Sequence, residues 1–402
     1  MTMTDDLLAG EGSSSVRVLV LVDAFPVVSQ TFIVDHIEGL AQRGILVTLI
    51  SRQLYDASFQ PLQKGIAVYG TPKWSRRALY NFISIIFERP SCLFSALLIR
   101  CAWHAARLRD TQAIFGVWNA VHAHFANNGI IALLTNPSWK SRLLVNFHGH
   151  DATSLPYRYG WWPFQSVLGR AHAIVHSKFL ADCVSQNTSM EVHDVCMGVN
   201  TQKFRGPQRG KEWPVPLRLL FVGRLVEQKG AHIALLALAL FREHHPGYDA
   251  HLCILGEGPE EARLQSLIKK LNMDSVVEGP RPASHQDVAD AMFNADILLM
   301  PSQIGKDHSQ ESFGRVAIEA MACGMPVLGC PSGGLVDTIS DAGLIASGFD
   351  AASFYRALFN MVADATPEIW RELAIKRAAR HRLELMNLDY FNQIKIIEEK
   401  NL

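Results

Sequence analysis

Short, almost purely apolar runs recur along the chain, separated by stretches whose apolar positions return every three or four residues. Residues 16–22, 47–50, 121–125, 143–147 and 171–175 are runs of the first kind, followed by 217–222, 251–255, 297–300 and a short one from Val327. Runs this apolar, set between turn residues, predict parallel strands buried on both faces. Asp23-Ala24-Phe25-Pro26 breaks the first of them. The intervening periodicity predicts helices: one over about 31–43 stopped by Gly44, one entered through Ala126-Asn127-Asn128-Gly129, one through Gln186, and a long one to about His245. A further helix begins near 312–314, and a last one spans roughly 378–400. Strands and helices in alternation give an α/β protein of Rossmann-like units.

Length and composition add boundaries. A chain of 402 residues is long for one domain and natural for two. Gly206, Pro207, Gly210, Pro214 and Pro216 mark a linker over 206–216. It separates a first domain, 16–205, from a second, 217–377, with 378–402 as a terminal helix and 1–15 as a mobile tail. Acidic residues Asp5, Asp6 and Glu11, with no basic segment, exclude a signal peptide, and no apolar run is long enough to span a bilayer. Lys plus Arg and Asp plus Glu both number 38, so the chain lacks the basic surplus of a nucleic-acid binder. Seven scattered cysteines without a C-x-x-C pair read as reduced thiols of a cytoplasmic protein, neither a disulfide framework nor a zinc site.

The densest chemistry lies in 296–335. A buried strand runs out at Pro301-Ser302, a polar loop follows, and a helix starts at Ser312-Phe313-Gly314. Gly324 and Pro326 end that helix before the next strand. Free N–H groups at such a helix start hold anions. Glu311 precedes the helix and Glu319 sits two turns inside it, and carboxylates at two depths suit a ligand rich in hydroxyls. The segment Glu311-Ser-Phe-Gly-Arg-Val-Ala-Ile-Glu319, with its flanking Pro301-Ser302, Ala320-Met-Ala-Cys-Gly-Met-Pro326 and Gly333-Gly334, resembles the Glu-x7-Glu signature of the retaining nucleotide-sugar glycosyltransferases of family 4. These have the two-domain GT-B fold, with a C-terminal helix crossing back to the first domain.

The resemblance implies roles. Arg224 and Lys229, in the loop Gly223-Arg-Leu-Val-Glu-Gln-Lys-Gly230, would hold the nucleotide diphosphate and take up its departing charge. Glu319 would hold the ribose, Glu311 the sugar hydroxyls, and Ser312, Phe313, Gly314, Arg315 and Val316 the anion-binding helix start. Gly223 would admit the ligand closely, Gly256 would lie beside the nucleoside, and Arg281, Pro282 and His285 would line the base pocket. His148, delivered at a strand end with Gly149 and Asp151, would stand beside the reacting sugar through its imidazole or its carbonyl. Asp151 would serve the acceptor or orient His148, and His122 and His124 are acceptor-side candidates. The chain has no Asp-x-Asp, so no metal cofactor is implied.

The first loop departs from the family's glycine-rich form. Phe25-Pro-Val-Val-Ser-Gln-Thr-Phe-Ile33 resembles bacterial exopolysaccharide glycosyltransferases of the colanic-acid and amylovoran type, with Gln30 in place of their usual glutamate. Thr31 would then lie near the donor phosphates, and Ser29 and Thr31 are also candidate helix caps. Residues 74–109 interleave arginines with large apolar side chains. They fit either interfacial helices on an anionic membrane or helices packed on the sheet with solvated arginines. The expected partners are a nucleotide-sugar donor of UDP or GDP type and a polyprenyl-linked or soluble sugar acceptor, at the inner face of the cytoplasmic membrane. Sucrose- or trehalose-type synthases and phosphorylases share the donor machinery, and a non-catalytic sensor would share the fold. A dinucleotide-dependent dehydrogenase is excluded, because neither opening strand is followed by G-x-G-x-x-G.

Overall fold

The computed structural model describes residues 16–27, 30–56, 61–73, 75–111, 114, 116–208 and 210–401. The expected tail over 1–15, the expected cap Ser29, and Trp74 at the head of the arginine-rich stretch lie outside them. Seven strands form the first sheet: β1 (Arg17–Phe25), β2 (Leu46–Leu54), β3 (Ile66–Gly70), β4 (Ala120–His124), β5 (Leu143–Asn146), β6 (His172–Val175) and β7 (Glu191–Asp194). Six form the second: β8 (Leu217–Val222), β9 (Ala250–Leu255), β10 (Val277–Arg281), β11 (Ile297–Met300), β12 (Val327–Gly329) and β13 (Gly343–Ile345). The orders are β3-β2-β1-β4-β5-β6-β7 and β10-β9-β8-β11-β12-β13, every pairing parallel. Each half is thus a Rossmann-like sheet whose order reverses beside its first strand, where ligands bind in such sheets.

Strands with apolar residues on both faces took the central places. Val18 to Val22 are buried, with Val18 registered against Val47 on one side and Ala120 on the other. The structure corrects two expectations. First, β1 does not end at Asp23, because Ala24 and Phe25 still pair with Gln53 and Leu54, and the strand runs to Pro26. Second, the terminal helix starts at Leu383, not at 378. The Pro367–Ala378 helix ends earlier, and Arg382 is extended (φ −78°, ψ 148°) where the backbone of its neighbours bonds to Val199.

The Leu383–Lys400 helix packs along the Thr31–Gln42 helix of the first sheet. Its Met386, Tyr390, Ile394 and Ile397 join one continuous apolar core with Val18 and Val20 of β1, Leu298 and Met300 of β11, and Ala317 and Met321. Separate clusters fill the other face of each sheet. Among the described residues, no helix is long and apolar enough to cross a membrane.

Candidate active site

The carboxyl ends of the two sheets face each other across a cleft of about 530 Å³. On the second-sheet side, β8 runs into Gly223 and Arg224, and a short 3-10 turn at Glu227–Lys229 carries Lys229 inward. The polar loop after β11 brings Glu311 opposite. Lys229 Nζ lies 2.5 Å from Glu311 Oε2, and the Ser302 hydroxyl donates to the same oxygen at 3.3 Å. Burial would raise the Glu311 carboxyl, but the Lys229 ammonium and the Ser302 hydroxyl outweigh it and hold it below the usual range. Arg224 faces the cleft, and no carboxylate pairs with it among the described residues.

Gly314 is left-handed (φ 82°) and opens the Arg315–Ala322 helix, whose first residues, Arg315 and Val316, line the cleft at the end where a helix leaves its N–H groups without intrahelical partners. The Arg315 guanidinium crosses to the first sheet, donating to Thr31 Oγ1 at 3.1 Å and pairing with Asp35 at 2.5 Å. Thr31 therefore receives a cross-cleft hydrogen bond and does not cap its helix, whose N-cap position is Gln30. Glu319 lies 3.7 Å from Arg315 Nε. Burial pushes its carboxyl up to about 7, Arg315 pulls against this, and Asp35 adds to it. Ser312 and Phe313 also line the cleft. Gly149 lies so close to Ser312 that a Cβ there would sit 2.7 Å from the serine Cβ, and the Ser177 hydroxyl donates to Ser312 O at 2.7 Å.

On the first-sheet side His148 lines the cleft and the other candidates stand behind it. His148 Nε2 is 3.0 Å from His124 Nδ1, and His122 Nδ1 is 2.9 Å from His36 Nε2. His122 and His124 are fully buried, so neither reaches an acceptor directly. Burial and the neighbouring imidazoles of His176 and His122 hold His148 well below its ordinary value, which makes it a neutral ring at physiological pH. Asp151 is likewise fully buried. Its carboxylate accepts from the backbone N–H groups of His148 (2.9 Å), Gly149 (3.0 Å) and Ala126 (2.9 Å). Burial pushes it up to about 6 against those three donors. Asp151 is spent on these backbone groups and positions the His148 loop.

The ring nitrogens of His36, His122 and His124 lie within 4.8 Å of one another. The His122 and His124 rings, however, are stacked at 4.6 Å with 21° between planes. Their lone pairs run side by side and do not converge on one ion, so this trio reads as a polar core under His148.

Two other candidates fall outside the cleft. A Cβ on Gly256 would sit 1.9 Å from Gly223 O, so this glycine lets the β8 and β9 loops touch and does not line the cavity. Arg281 pairs with Glu278 at 3.1 Å and lines a separate groove with Arg218 and His251, whereas His285 reaches the cleft. Sequence reasoning missed the Arg315–Asp35 pair, the Ser302 contact, and the apolar lining from Phe32, Phe125, Met197 and Met300. Only Ser302, just past the carboxyl end of β11, offered a signal, since the rest depend on how two distant loops meet. A second cavity of about 530 Å³ shares Gln30 and Phe125 with the first and gathers Arg52, Arg100 and Arg158. The Ala96–Leu108 helix lines it through Leu97, Arg100 and His104, and Tyr80, Phe87, Leu93, Phe94 and Trp103 are exposed on that helix, the Arg76–Glu88 helix and their connection.

Residues 210–379 match the family described as glycosyl transferases group 1. The chain is 31% identical over 344 residues to D-inositol 3-phosphate glycosyltransferase of Arthrobacter sp. (strain FB24), covering 79% of this chain and 77% of that one. It is 26% identical over 339 residues to the putative colanic acid biosynthesis glycosyltransferase WcaL of Escherichia coli (strain K12), covering 78% and 82%. Among solved structures, Anabaena HepE in complex with UDP-glucose superposes with a TM-score of 0.69 at 15% identity, covering 94% of this chain and 99% of that one. The two facing Rossmann-like halves are therefore a GT-B fold. The chain belongs to the group 1 glycosyl transferases.

Proposed function

We propose that this glycosyltransferase moves a sugar from a UDP- or GDP-sugar to an acceptor hydroxyl with retention at the anomeric carbon and without a metal ion. The observation that carries the reading is the convergence of Arg224, Lys229 and the Arg315 helix start on one cleft whose opposite wall is the neutral His148. Protein cations and backbone N–H groups then take up the charge of the departing diphosphate, the role a metal plays elsewhere. Glu319 holds the ribose hydroxyls and Glu311 the sugar hydroxyls. Because Glu311 is committed to Lys229 and Ser302, it is a poor nucleophile. Transfer accordingly proceeds on one face: the bond from C1 to the phosphate oxygen breaks with its electron pair, the acceptor oxygen bonds to C1, and the acceptor proton leaves on the diphosphate.

The acceptor enters through the second cavity, beside the exposed apolar side chains of 75–109. An apolar surface with interspersed arginines suits a polyprenyl-linked oligosaccharide at the cytoplasmic face of a membrane, with the enzyme bound peripherally. The E. coli relative named for colanic acid biosynthesis supports a polysaccharide acceptor. A soluble acceptor is the second reading, favoured by the relative named for an inositol phosphate.

Thermal shift with UDP, GDP, ADP and their common sugars tests the reading on wild type, Arg224→Ala and Glu319→Ala. Stabilisation by one nucleotide family, lost in both variants, is the expected result. No shift with any nucleotide would remove the donor cleft from the account.

A further inference from the structure

The amino end of the first sheet, opposite the cleft, carries a second cluster that the transfer reaction does not use. His172 opens β6 and Glu191 opens β7, and the two are paired in register. Glu191 and His193 alternate with Val192, which packs into the core on the other face, so His172, Glu191 and His193 share one face. His172 Nδ1 is 3.1 Å from His193 Nε2 and 3.3 Å from one Glu191 oxygen. The other Glu191 oxygen is 3.7 Å from His193 Nε2.

The same separations arise when the three side chains share one ion. Ligands about 2.0–2.1 Å from a tetrahedral zinc ion lie about 3.4 Å from one another, and two imidazoles on that ion place their ring centres about 5.2 Å apart. The His172 and His193 rings stand 5.3 Å apart with 36° between planes. One proton shared between the two ring nitrogens across 3.1 Å ties the rings together and leaves the carboxylate outside that bond, at 3.3 and 3.7 Å from them. A cation accepts all three.

We propose that His172, Glu191 and His193 form a zinc site that clips the edge strand β7 to β6. Two imidazoles and one carboxylate are ligands that zinc takes readily, and a fourth position stays open to water. The Glu191 side chain is 52% exposed and gives the ion access, while the two rings are mostly buried and preorganised. Lys400, at the end of the Leu383–Lys400 helix, lies 3.4 Å from the same carboxylate and competes with the ion. Zinc binding therefore exchanges a helix-end ion pair for a strand clip.

The test uses the full chain without an affinity tag, stripped with chelator and titrated with Zn2+ by calorimetry, with Co2+ as the spectroscopic probe. One ion per chain is expected. Affinity falls by more than about tenfold in His193→Ala and in the isosteric Glu191→Gln, and it rises in Lys400→Ala. The Co2+ complex shows a visible tetrahedral band without thiolate charge transfer, which separates this site from the cysteines. Nucleotide-induced stabilisation stays at the wild-type level in Glu191→Gln, so failure here is distinguishable from failure of the donor cleft. Equal zinc affinity in wild type and both ligand variants, a thiolate band, or no binding by wild type overturns the proposal.

Discussion

The two walls of the cleft are built from opposite electrostatic materials. The second sheet offers permanent charge: Arg224, Arg315 and the Lys229–Glu311 pair, set on loops and a helix start. The first sheet offers neutral imidazole, with His148 backed by His124 and held in place by Asp151 through backbone bonds. The difference teaches how one cleft divides its labour. On the proposed mechanism, charge sits where a diphosphate would gather electrons, and the wall that would meet the sugar is kept uncharged by burial.

The charged wall should break first. Arg224→Ala is expected to lower kcat by about 100-fold or more at nearly unchanged stability. Lys229→Met should lose similar activity and also about 3 kcal/mol of stability, because Glu311 is left buried without its cation. Turnover and urea unfolding of the two variants separate these effects, and wild-type turnover in Arg224→Ala would end the charge assignment.

Glu319 gives the second test. Its folded value is near 7 against 4.5 for a free glutamate. Between those values the folded chain holds a proton that the unfolded chain has lost, so folding is favoured below about 4.5 and the advantage disappears as pH rises through 7. The span is up to about 3 kcal/mol. Chemical unfolding from pH 4.5 to 8 should show wild type losing stability relative to Glu319→Gln as pH rises, because the buried imidazoles, which gain stability over the same range, are common to both and cancel in the difference. Nucleotide affinity should move the other way, strengthening as the carboxylate forms.

The neutral wall should respond more gently. His124→Phe removes the ring that meets His148 Nε2, and kcat should fall about tenfold while nucleotide affinity holds. A fall in nucleotide affinity instead would mean that the walls do not divide the work. The smallest change is expected far from both walls. Replacing Arg76 and Arg77 by Gln should leave stability within about 0.5 kcal/mol, yet reduce co-sedimentation with anionic liposomes. Unchanged co-sedimentation would detach the exposed 75–109 surface from any membrane.

The same contrast explains what was legible in the sequence. Central strands such as β1, β8 and β11 announced themselves as continuous apolar runs because both of their faces are covered. The missed strands β3, β7, β10 and β13 are sheet edges, half-exposed and mixed in composition, and such segments carry no distinctive period. In the charged wall, Arg224, Lys229, Glu311 and Glu319 lie in contiguous segments that resemble family motifs, since loops and one helix start place them. In the neutral wall, His122, His124 and Asp151 stand near the cleft in sequence but one layer behind it in space. Strand alternation and buried backbone N–H groups decide that, and a sequence displays neither. The Arg315–Asp35 bond joins residues 280 positions apart, beyond any local pattern.

The Leu383–Lys400 helix carries a consequence for how the protein is made. Tyr390 accepts a hydrogen bond from Asn146, on the strand that delivers His148, and lies in the core beside β1. A nascent chain emerging from the ribosome therefore presents the first sheet with one apolar face covered only in part, by the Thr31–Gln42 helix, and the rest of that face waits for the whole second sheet to be synthesised. The half that comes out first is finished last, which makes its uncovered face the surface a chaperone would meet during translation.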